Sequence, residues 1–347
     1  MASLQDQVAS MKVLVTGSSG RVGKRVCTHL VDRGFEVRGI DVVDAGTPGV
    51  AFQACDLKDY EAVKSCVLGV DSVLHLAALA SPREGTPEKI FELNDYAAFH
   101  VFQACAEVGV KRVVAASSVN AIGFFFGRKG FQLDYLPVDE DHPSFTTDAY
   151  SFSKHILEEI GRYFWRREGI SSTCVRFGAG LSTEAEIFAP EQKDRFDAVR
   201  HLIQDLMALP KTERGAEVAR IQKAYDANRA QSPWETGREW EGMTSAELTT
   251  MNMVHNYWSF VDPRDANMGM ERALVADYEG SYPVFVVDQH NTIGVESQVL
   301  ADLFYPGVSL HRDFEGTESL INWRRAESLI GFVAEHSMKP YFDSLEI

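Results

Sequence analysis

Tyr150 and Lys154 are four residues apart in a stretch with helical patterning, so their side chains share one face. A tyrosine hydroxyl titrates near 10 and is a poor base at neutral pH. An ammonium beside it stabilises the phenolate, which can then accept a hydroxyl proton while hydride leaves the same carbon. Lowering the pKa by roughly 3 units takes about 4 kcal/mol, within reach of two close cations in a partly desolvated cleft. Ser118 adds a third polar group, with Ser117 as its neighbouring alternative. It follows the apolar run 112–116, at the carboxyl end where open parallel sheets place their ligands. Its hydroxyl is suited to hydrogen-bond the reacting oxygen.

Hydride chemistry needs an acceptor, and the start of the chain offers one a seat. Residues 12–23 read KVLVTGSSGRVG. The apolar Val13, Leu14 and Val15 suit a buried parallel strand, and Val22, Val26 and Leu30 follow at helical spacing. Gly17, Gly20 and Gly23 fall between, with Ser19, Arg21 and Val22 in the same segment. Strand, glycine turn and helix bring backbone N–H groups to a pyrophosphate at a helix N-terminus. A second strand, over 36–40, ends at Asp41, about 20 residues on, where such folds set an acid on the adenosine ribose. Asp44 is the fallback. A carboxylate there repels a 2′-phosphate, so the expected cofactor is NAD rather than NADP. Its oxidised nicotinamide would be the second cation beside Tyr150.

Up to about residue 180 short apolar strands alternate with amphipathic helices. Strands are expected at 13–16, 36–40, 72–76, 112–116 and 173–176, and helices at 24–32, 60–67, 90–108 and 150–167. This alternation predicts an α/β fold, a Rossmann-like doubly wound parallel sheet with a smaller, mostly helical substrate lobe. Residues 1–181 are expected to form the NAD-binding domain and 182–347 mainly the lobe. The segment near 261–290 is expected to return to the first domain, with a strand at 282–287. Further helices are expected at 296–304 and 325–332. Charge-rich residues 183–250 form an insertion of two or three amphipathic helices, with Pro190, Pro210 and Pro233 at the breaks. Trp234, Trp240, His255, Tyr257 and Trp258 cluster in or just after its second half. They make either a subdomain with its own small core or a lid over substrate. His142 and His255 are within possible reach of substrate, but a lone histidine is more often structural, and neither joins the catalytic set.

A net charge of −16 over 347 residues argues against nucleic acid or an anionic membrane as partner. Cys27, Cys55, Cys66, Cys105 and Cys174 show no CxxC spacing and no metal-ligand cluster with histidine, so no metal is expected. Most sit in apolar runs, as reduced cysteines do. The polar first ten residues lack a signal-peptide core, and no apolar run is long enough to span a bilayer. These features predict a cytoplasmic protein with a small-molecule substrate.

The segments TGSSGRVG (16–23), HLAA (75–78), Asn94, SSVNAIG (117–123), YSFSK (150–154), VRFG (175–178) and, more weakly, FVDPRDA (260–266) together resemble a family. The chain is similar to extended short-chain dehydrogenases/reductases of the NAD-dependent epimerase/dehydratase group. The resemblance implies that Asp56 and Leu57 contact the adenine and that Ala77 and Ala78 line the cofactor cleft. It also implies that Asn94 supports the cofactor or the active-site helix, that Phe177 and Gly178 lie near the nicotinamide, and that the protein is a homodimer. Departures narrow the chemistry. Dehydratases of this kind carry Thr-Asp-Glu where this chain has Ser118-Val119-Asn120, so no acid–base pair is present for eliminating water. Ala179 replaces the epimerases' asparagine. Asn256 falls near their diphosphate-binding arginine, and Arg264 is the nearest arginine downstream. SSVNAIGFF is instead similar to the serine segment of uronate dehydrogenases, which oxidise a free sugar acid.

The expected activity is NAD-dependent interconversion of a secondary alcohol and a ketone on a sugar or sugar acid. An epimerase or isomerase with tightly bound NAD begins with the same oxidation. A non-catalytic dinucleotide sensor would keep the glycine loop without needing Ser118, Tyr150 and Lys154. The Asp41 reading is directly testable: calorimetry should show NAD binding tighter than NADP, and Asp41→Ala should narrow the gap. Equal or tighter NADP binding by the unaltered protein would refute it.

Overall fold

The computed structural model describes residues 11–178, 186, 189–231, 240–339 and 342. The first ten residues, Ala179, Pro233 and Trp234 lie outside the described residues. Seven strands form one all-parallel sheet in the order β3-β2-β1-β4-β5-β7-β8. They are β1 (Lys12–Thr16), β2 (Glu36–Asp41), β3 (Val50–Ala54), β4 (Ser72–His75), β5 (Arg112–Ala116), β7 (Ser171–Phe177) and β8 (Ser281–Val286). The order reverses between β1 and β4, so the carboxyl ends of these two strands open a crevice.

Both faces of the sheet are covered, which is why its central strands are apolar on both sides. Side chains alternate along β1. Val13 and Val15 join α1 (Arg21–Asp32), α9 (Pro263–Val275) and α11 (Arg324–Ile330) through Val26, Leu30, Met270 and Ile330. Leu14 faces α2 (Tyr60–Val67), α4 (Ala97–Val108) and α5 (Ala149–Glu168) through Val63, Phe102 and Phe164. The five cysteines are free and buried within these two layers. The helix expected over 90–108 is a composite of α3 (Pro87–Phe91), a π-helical turn (Glu92–Tyr96) and α4. Among the elements the sequence reading missed are one strand of the main sheet and one of its covering helices. β3 is a mostly exposed edge strand whose only apolar run is Val50-Ala51-Phe52, and α9 begins at Pro263 behind the Asp262 cap.

A second core unites segments far apart in sequence. The insertion supplies α6 (Pro190–Ala208), α7 (Lys211–Gln231) and α8 (Ser245–Val254). Their Val199, Ile203, Ile221, Tyr225 and Met251 pack with Ile122, Leu136 and Val138, and with Phe285, Leu300 and Leu320. The insertion therefore shares its core with residues 119–138, N-terminal to the expected boundary at 181, instead of closing one of its own. A two-stranded sheet of β6 (Tyr135–Leu136) and β9 (Ser309–Leu310), with α10 (Ser297–Phe304), completes this layer. Tyr257 and Trp258 are buried in it with left-handed φ of 58° and 53°, and Thr292 donates twice to the Trp258 carbonyl. No described helix is long and apolar enough to cross a membrane.

His255 sits deep in this core, its ring against Phe124 and Tyr225 and its Nδ1 2.7 Å from the Met251 carbonyl. Burial, with the Arg229 charge, pushes it down to about 3, so it is neutral in the folded protein. A depressed folded pKa gives a contribution that is complete above about pH 6.5 and lost as pH falls toward 3. Linkage predicts a loss of about 1 kcal/mol between pH 6.5 and 5.5. Urea unfolding across this range should show that loss, and His255→Gln should flatten it. Identical pH curves for the two proteins would contradict the assignment.

Candidate active site

At the end of β1, Gly17 takes φ +68°, and a Cβ there would stand 2.7 Å from the Ala77 amide nitrogen. Thr16 Oγ1 accepts from the Leu76 and Ala77 amides at 3.1 and 3.2 Å and lies 2.8 Å from His75 Nδ1. Burial, with the Lys154 charge, pushes His75 down to about 3, so it serves as a neutral partner. These contacts lock the ends of β1 and β4 together at the crevice. Gly20 caps α1 with no side-chain hydrogen bond, leaving the first-turn N–H groups without a side-chain acceptor at that position. A Cβ on Gly23 would meet the Gly17 oxygen at 2.0 Å, so glycine lets the helix lie against the turn. Asp41 accepts from the Ser19 amide at 3.1 Å and the Val42 amide at 2.7 Å.

A cavity of about 320 Å³ lies over this turn. Gly17, Gly20, Asp41, Asp56, Leu57, Ala77 and Ala78 all line it, joined by Cys55 and Leu93, which sequence reasoning missed. Ser19, Arg21, Val22 and Gly23 frame the turn outside that lining. Asp44 also lies outside it and accepts from the Gly46 amide. Phe177 and Gly178 close β7, with Gly178 against Phe260. The site fits a dinucleotide on structural grounds: an acid where a ribose belongs, and a glycine cradle that a Cβ would fill.

The second half of the site assembles on β5 and α5. Ser118 begins a 3₁₀ turn, and its Oγ accepts from the Asn120 amide at 3.1 Å. Asp148 caps α5 through the Ser151 amide, placing Tyr150 and Lys154 in the first turns. Lys154 Nζ donates to the Ala116 carbonyl at 2.8 Å. Both side chains are buried, and Phe126 lies edge-on to the Tyr150 ring at 5.4 Å. Ser117, the alternative to Ser118, is committed elsewhere. It donates to Glu158, which also holds Arg176 through two 2.8 Å contacts. Glu158 lies four residues beyond Lys154, and an acid on the buried face of that helix was the legible signal that went unread.

The electrostatics correct one expectation. Tyr150 is pushed up to about 12, because burial outweighs its hydrogen bond with Ser118, and Asp148 and Glu84 add to the rise. Lys154 does not hold it down: its ammonium is directed at the Ala116 carbonyl, 5.6 Å from the Tyr150 ring centroid. Burial lowers Lys154 itself to about 8. Tyr150 is thus a neutral phenol here, disposed to donate to a carbonyl oxygen.

Asn94 lies in the π-helical turn, a device common at functional sites. It accepts from the Leu79 amide at 2.8 Å and donates to the Leu79 carbonyl at 3.0 Å and Ser153 Oγ at 2.9 Å. Ser153 in turn donates to the Tyr150 carbonyl. Asn94 thereby ties the cofactor-side loop to the helix of Tyr150. Asn256 donates to the Asn252 carbonyl, and Arg264 is held by two contacts to Asp262. His142 accepts from the Asp134 amide. No cluster of His, Cys, Asp or Glu among the described residues is placed to hold a metal ion.

The NAD dependent epimerase/dehydratase family matches residues 13–205, more than half of the chain. The chain belongs to that family. Its cofactor is NAD, and it is an enzyme of the group that holds NAD-dependent dehydrogenases and epimerases. A uronate dehydrogenase from Pseudomonas syringae pv. tomato is 28% identical over 211 residues, 57% of this chain and 70% of that one. A UDP-glucose 4-epimerase from Bacillus subtilis is 29% identical over 168 residues, 44% of this chain and 47% of that one. The solved glucuronic acid dehydrogenase from Chromohalobacter salexigens aligns with a TM-score of 0.58 at 20% identity, over 97% of this chain and 88% of that one. At that identity the structural likeness establishes the fold.

Proposed function

We propose that this family member is an NAD-dependent oxidoreductase interconverting a secondary alcohol and a ketone on a polyhydroxylated small molecule, a sugar acid above all. The observation that carries the reading is the convergence of Ser118, Tyr150 and Lys154 at the carboxyl end of β5. Ser118 orients the reacting oxygen and shares a hydrogen bond with Tyr150. Tyr150 donates its proton to that oxygen in reduction and accepts it in oxidation. Lys154, fixed on Ala116, supplies positive charge and a donor for the ribose. The residues suited to hold NAD are Gly17, Ser19, Gly20, Arg21, Val22 and Gly23 at the phosphates, Asp41 at the ribose and Asp56 and Leu57 at the adenine. Ala77, Ala78, Asn94, Phe177 and Gly178 complete its cleft. Bound NAD supplies the hydride acceptor.

The uronate dehydrogenase relatives favour a free sugar acid, as does the SSVNAIGFF segment. The epimerase relatives favour a second reading, in which hydride returns to the same substrate. The commitment of Arg264 to Asp262 weighs against a nucleotide-diphosphate handle there. Tyr150→Phe removes one oxygen and should leave NAD affinity largely intact. Turnover of a sugar acid, followed by NADH absorbance, should fall about 10²- to 10⁴-fold. Near-normal turnover by the variant would overturn the proton-transfer role.

We also propose a cytoplasmic homodimer. Phe91, Tyr96 and Phe99 on the α3–α4 run and Phe152 and Tyr163 on α5 are large, exposed aromatics on helices that pack together. Aromatic side chains in this density suit a symmetric helix-pair contact. Light scattering should give twice the chain mass, falling to one chain for Phe91→Glu/Phe152→Glu. A monomeric unaltered protein would reject the dimer.

A further inference from the structure

Arg229, near the end of α7, is fully buried. Its side chain crosses from the insertion to the segment that follows Ser118. Nε donates to the Gly127 carbonyl at 2.9 Å and Nη2 to the Phe124 carbonyl at 3.1 Å. The remaining nitrogen, Nη1, has no hydrogen-bond partner among the described residues. The one acid within 4 Å of the guanidinium among those residues is Asp226 of the same helix, 3.8 Å from Nη1 and beyond hydrogen-bond reach. A buried cation held by backbone carbonyls costs a fold stability that apolar packing would not. The helix has apolar packing already, through Val218, Ile221 and Tyr225. Arg220, earlier on the same helix, is by contrast exposed and pairs with the carboxylates of Glu217 and Glu247.

The clamped segment reaches the reacting site in one step. Phe126 lies between the two clamped residues and is half-buried. Its ring stands edge-on to that of Tyr150, with centroids 5.4 Å apart and planes at 87°. Phe124 turns the other way, into the lobe core against His255 and Tyr257. The far side of the segment is fastened to the residues that lead into α5. The Phe145 amide donates to the Ile122 carbonyl at 2.8 Å, and the Lys129 amide to Thr147 Oγ1 at 3.4 Å. One planar guanidinium thus fixes both ends of a four-residue arc, and that arc carries the ring against Tyr150.

Building on the proposed oxidoreductase reading, we propose that Arg229 is a positioning residue: it clamps residues 124–127 so that Phe126 holds the Tyr150 ring in line with Ser118 and the reacting oxygen. Edge-to-face contact favours one ring orientation over its neighbours. The Tyr150 hydroxyl sits at the far end of its ring, so a tilt displaces most the atom that exchanges the proton. A displacement of about 1 Å is enough to lower turnover markedly. The insertion then acts on the reaction through the loop, and α7 reaches the tyrosine by way of Phe126.

The test measures kcat on a sugar acid, NAD affinity by calorimetry and urea unfolding for Arg229→Met, Arg229→Lys, Phe126→Leu and the double variant Arg229→Met/Phe126→Leu. Arg229→Met should lower kcat about 10- to 100-fold and leave NAD affinity unchanged. Arg229→Lys, which keeps the charge without the planar fork, should fall between it and the parent. Because both residues act through one arc, the double variant should be no slower than the slower single variant. Arg220→Gln, which loosens α7 without touching the arc, should turn over like the parent. A folded Arg229→Met with parental kcat would overturn the clamp, whether or not its unfolding midpoint falls. So would losses in kcat that multiply in the double variant. If Arg229→Met does not fold, Arg229→Lys decides alone, and a parental kcat there overturns the proposal. In each of these cases an active parent leaves the oxidoreductase reading standing. A parent that reduces NAD with no sugar acid would overturn that reading and this inference with it.

Discussion

The Lys154 ammonium, 5% exposed, donates to the Ala116 carbonyl where β5 ends. A buried cation needs partners that stay in place, because unpaired charge in a protein interior costs several kcal/mol. That requirement constrains its surroundings. The carbonyl it uses comes from a strand seated between β4 and β7. The helix that carries it is capped by Asp148 and pinned through Ser153 to Asn94. Glu158, one turn further on, is neutralised by Arg176 from β7. The neutral state of His75, two strands away from β7 on the same edge of the crevice, follows partly from the same positive charge.

This arrangement also sets the protonation of Tyr150. Burial keeps it a phenol, and its hydroxyl meets Ser118 rather than the lysine. In such a site the reductive direction finds its acid ready, whereas oxidation must first remove a proton. The positive charge of a bound oxidised nicotinamide acts in the sense that eases that removal. The direct lysine–phenolate pairing expected from the i, i+4 spacing is therefore incomplete. Spacing puts two residues on one helix face, but it does not say which carbonyl a long amine will reach.

Much of the sheet was legible, because buried parallel strands must be apolar on both faces and helices between them must be amphipathic. β1, β5 and α2 were read within a residue, and Gly17, Asp41 and Asp56 could be placed from their spacing or their resemblance to known segments. What escaped notice was whatever lacked periodicity. β3 pairs with β2 at the sheet edge, with only Val50 and Phe52 half-buried and the rest of its side chains exposed. The π-helical turn at Glu92–Tyr96 lies inside what spacing reads as one helix over 90–108. The lobe was harder still, because its core joins residues 119–138 to the insertion and to 285–323 through contacts of long sequence separation. Local pattern shows that Ile122 or Tyr225 is apolar, and only the fold shows that they share one core. The stretch beginning at Ser118 therefore links the reacting site to that core, and Phe124 and Phe126 stand on either side of the link.

The central claim is net oxidation of a free sugar acid at the Ser118, Tyr150 and Lys154 site. Its most direct test is NADH absorbance on mixing the purified protein with NAD and a panel of uronic acids, neutral sugars and nucleotide sugars. The account predicts NADH in excess of one equivalent per chain with at least one uronic acid. Conversion of a nucleotide sugar to its epimer with no NADH released, and no response to any uronic acid, would contradict it.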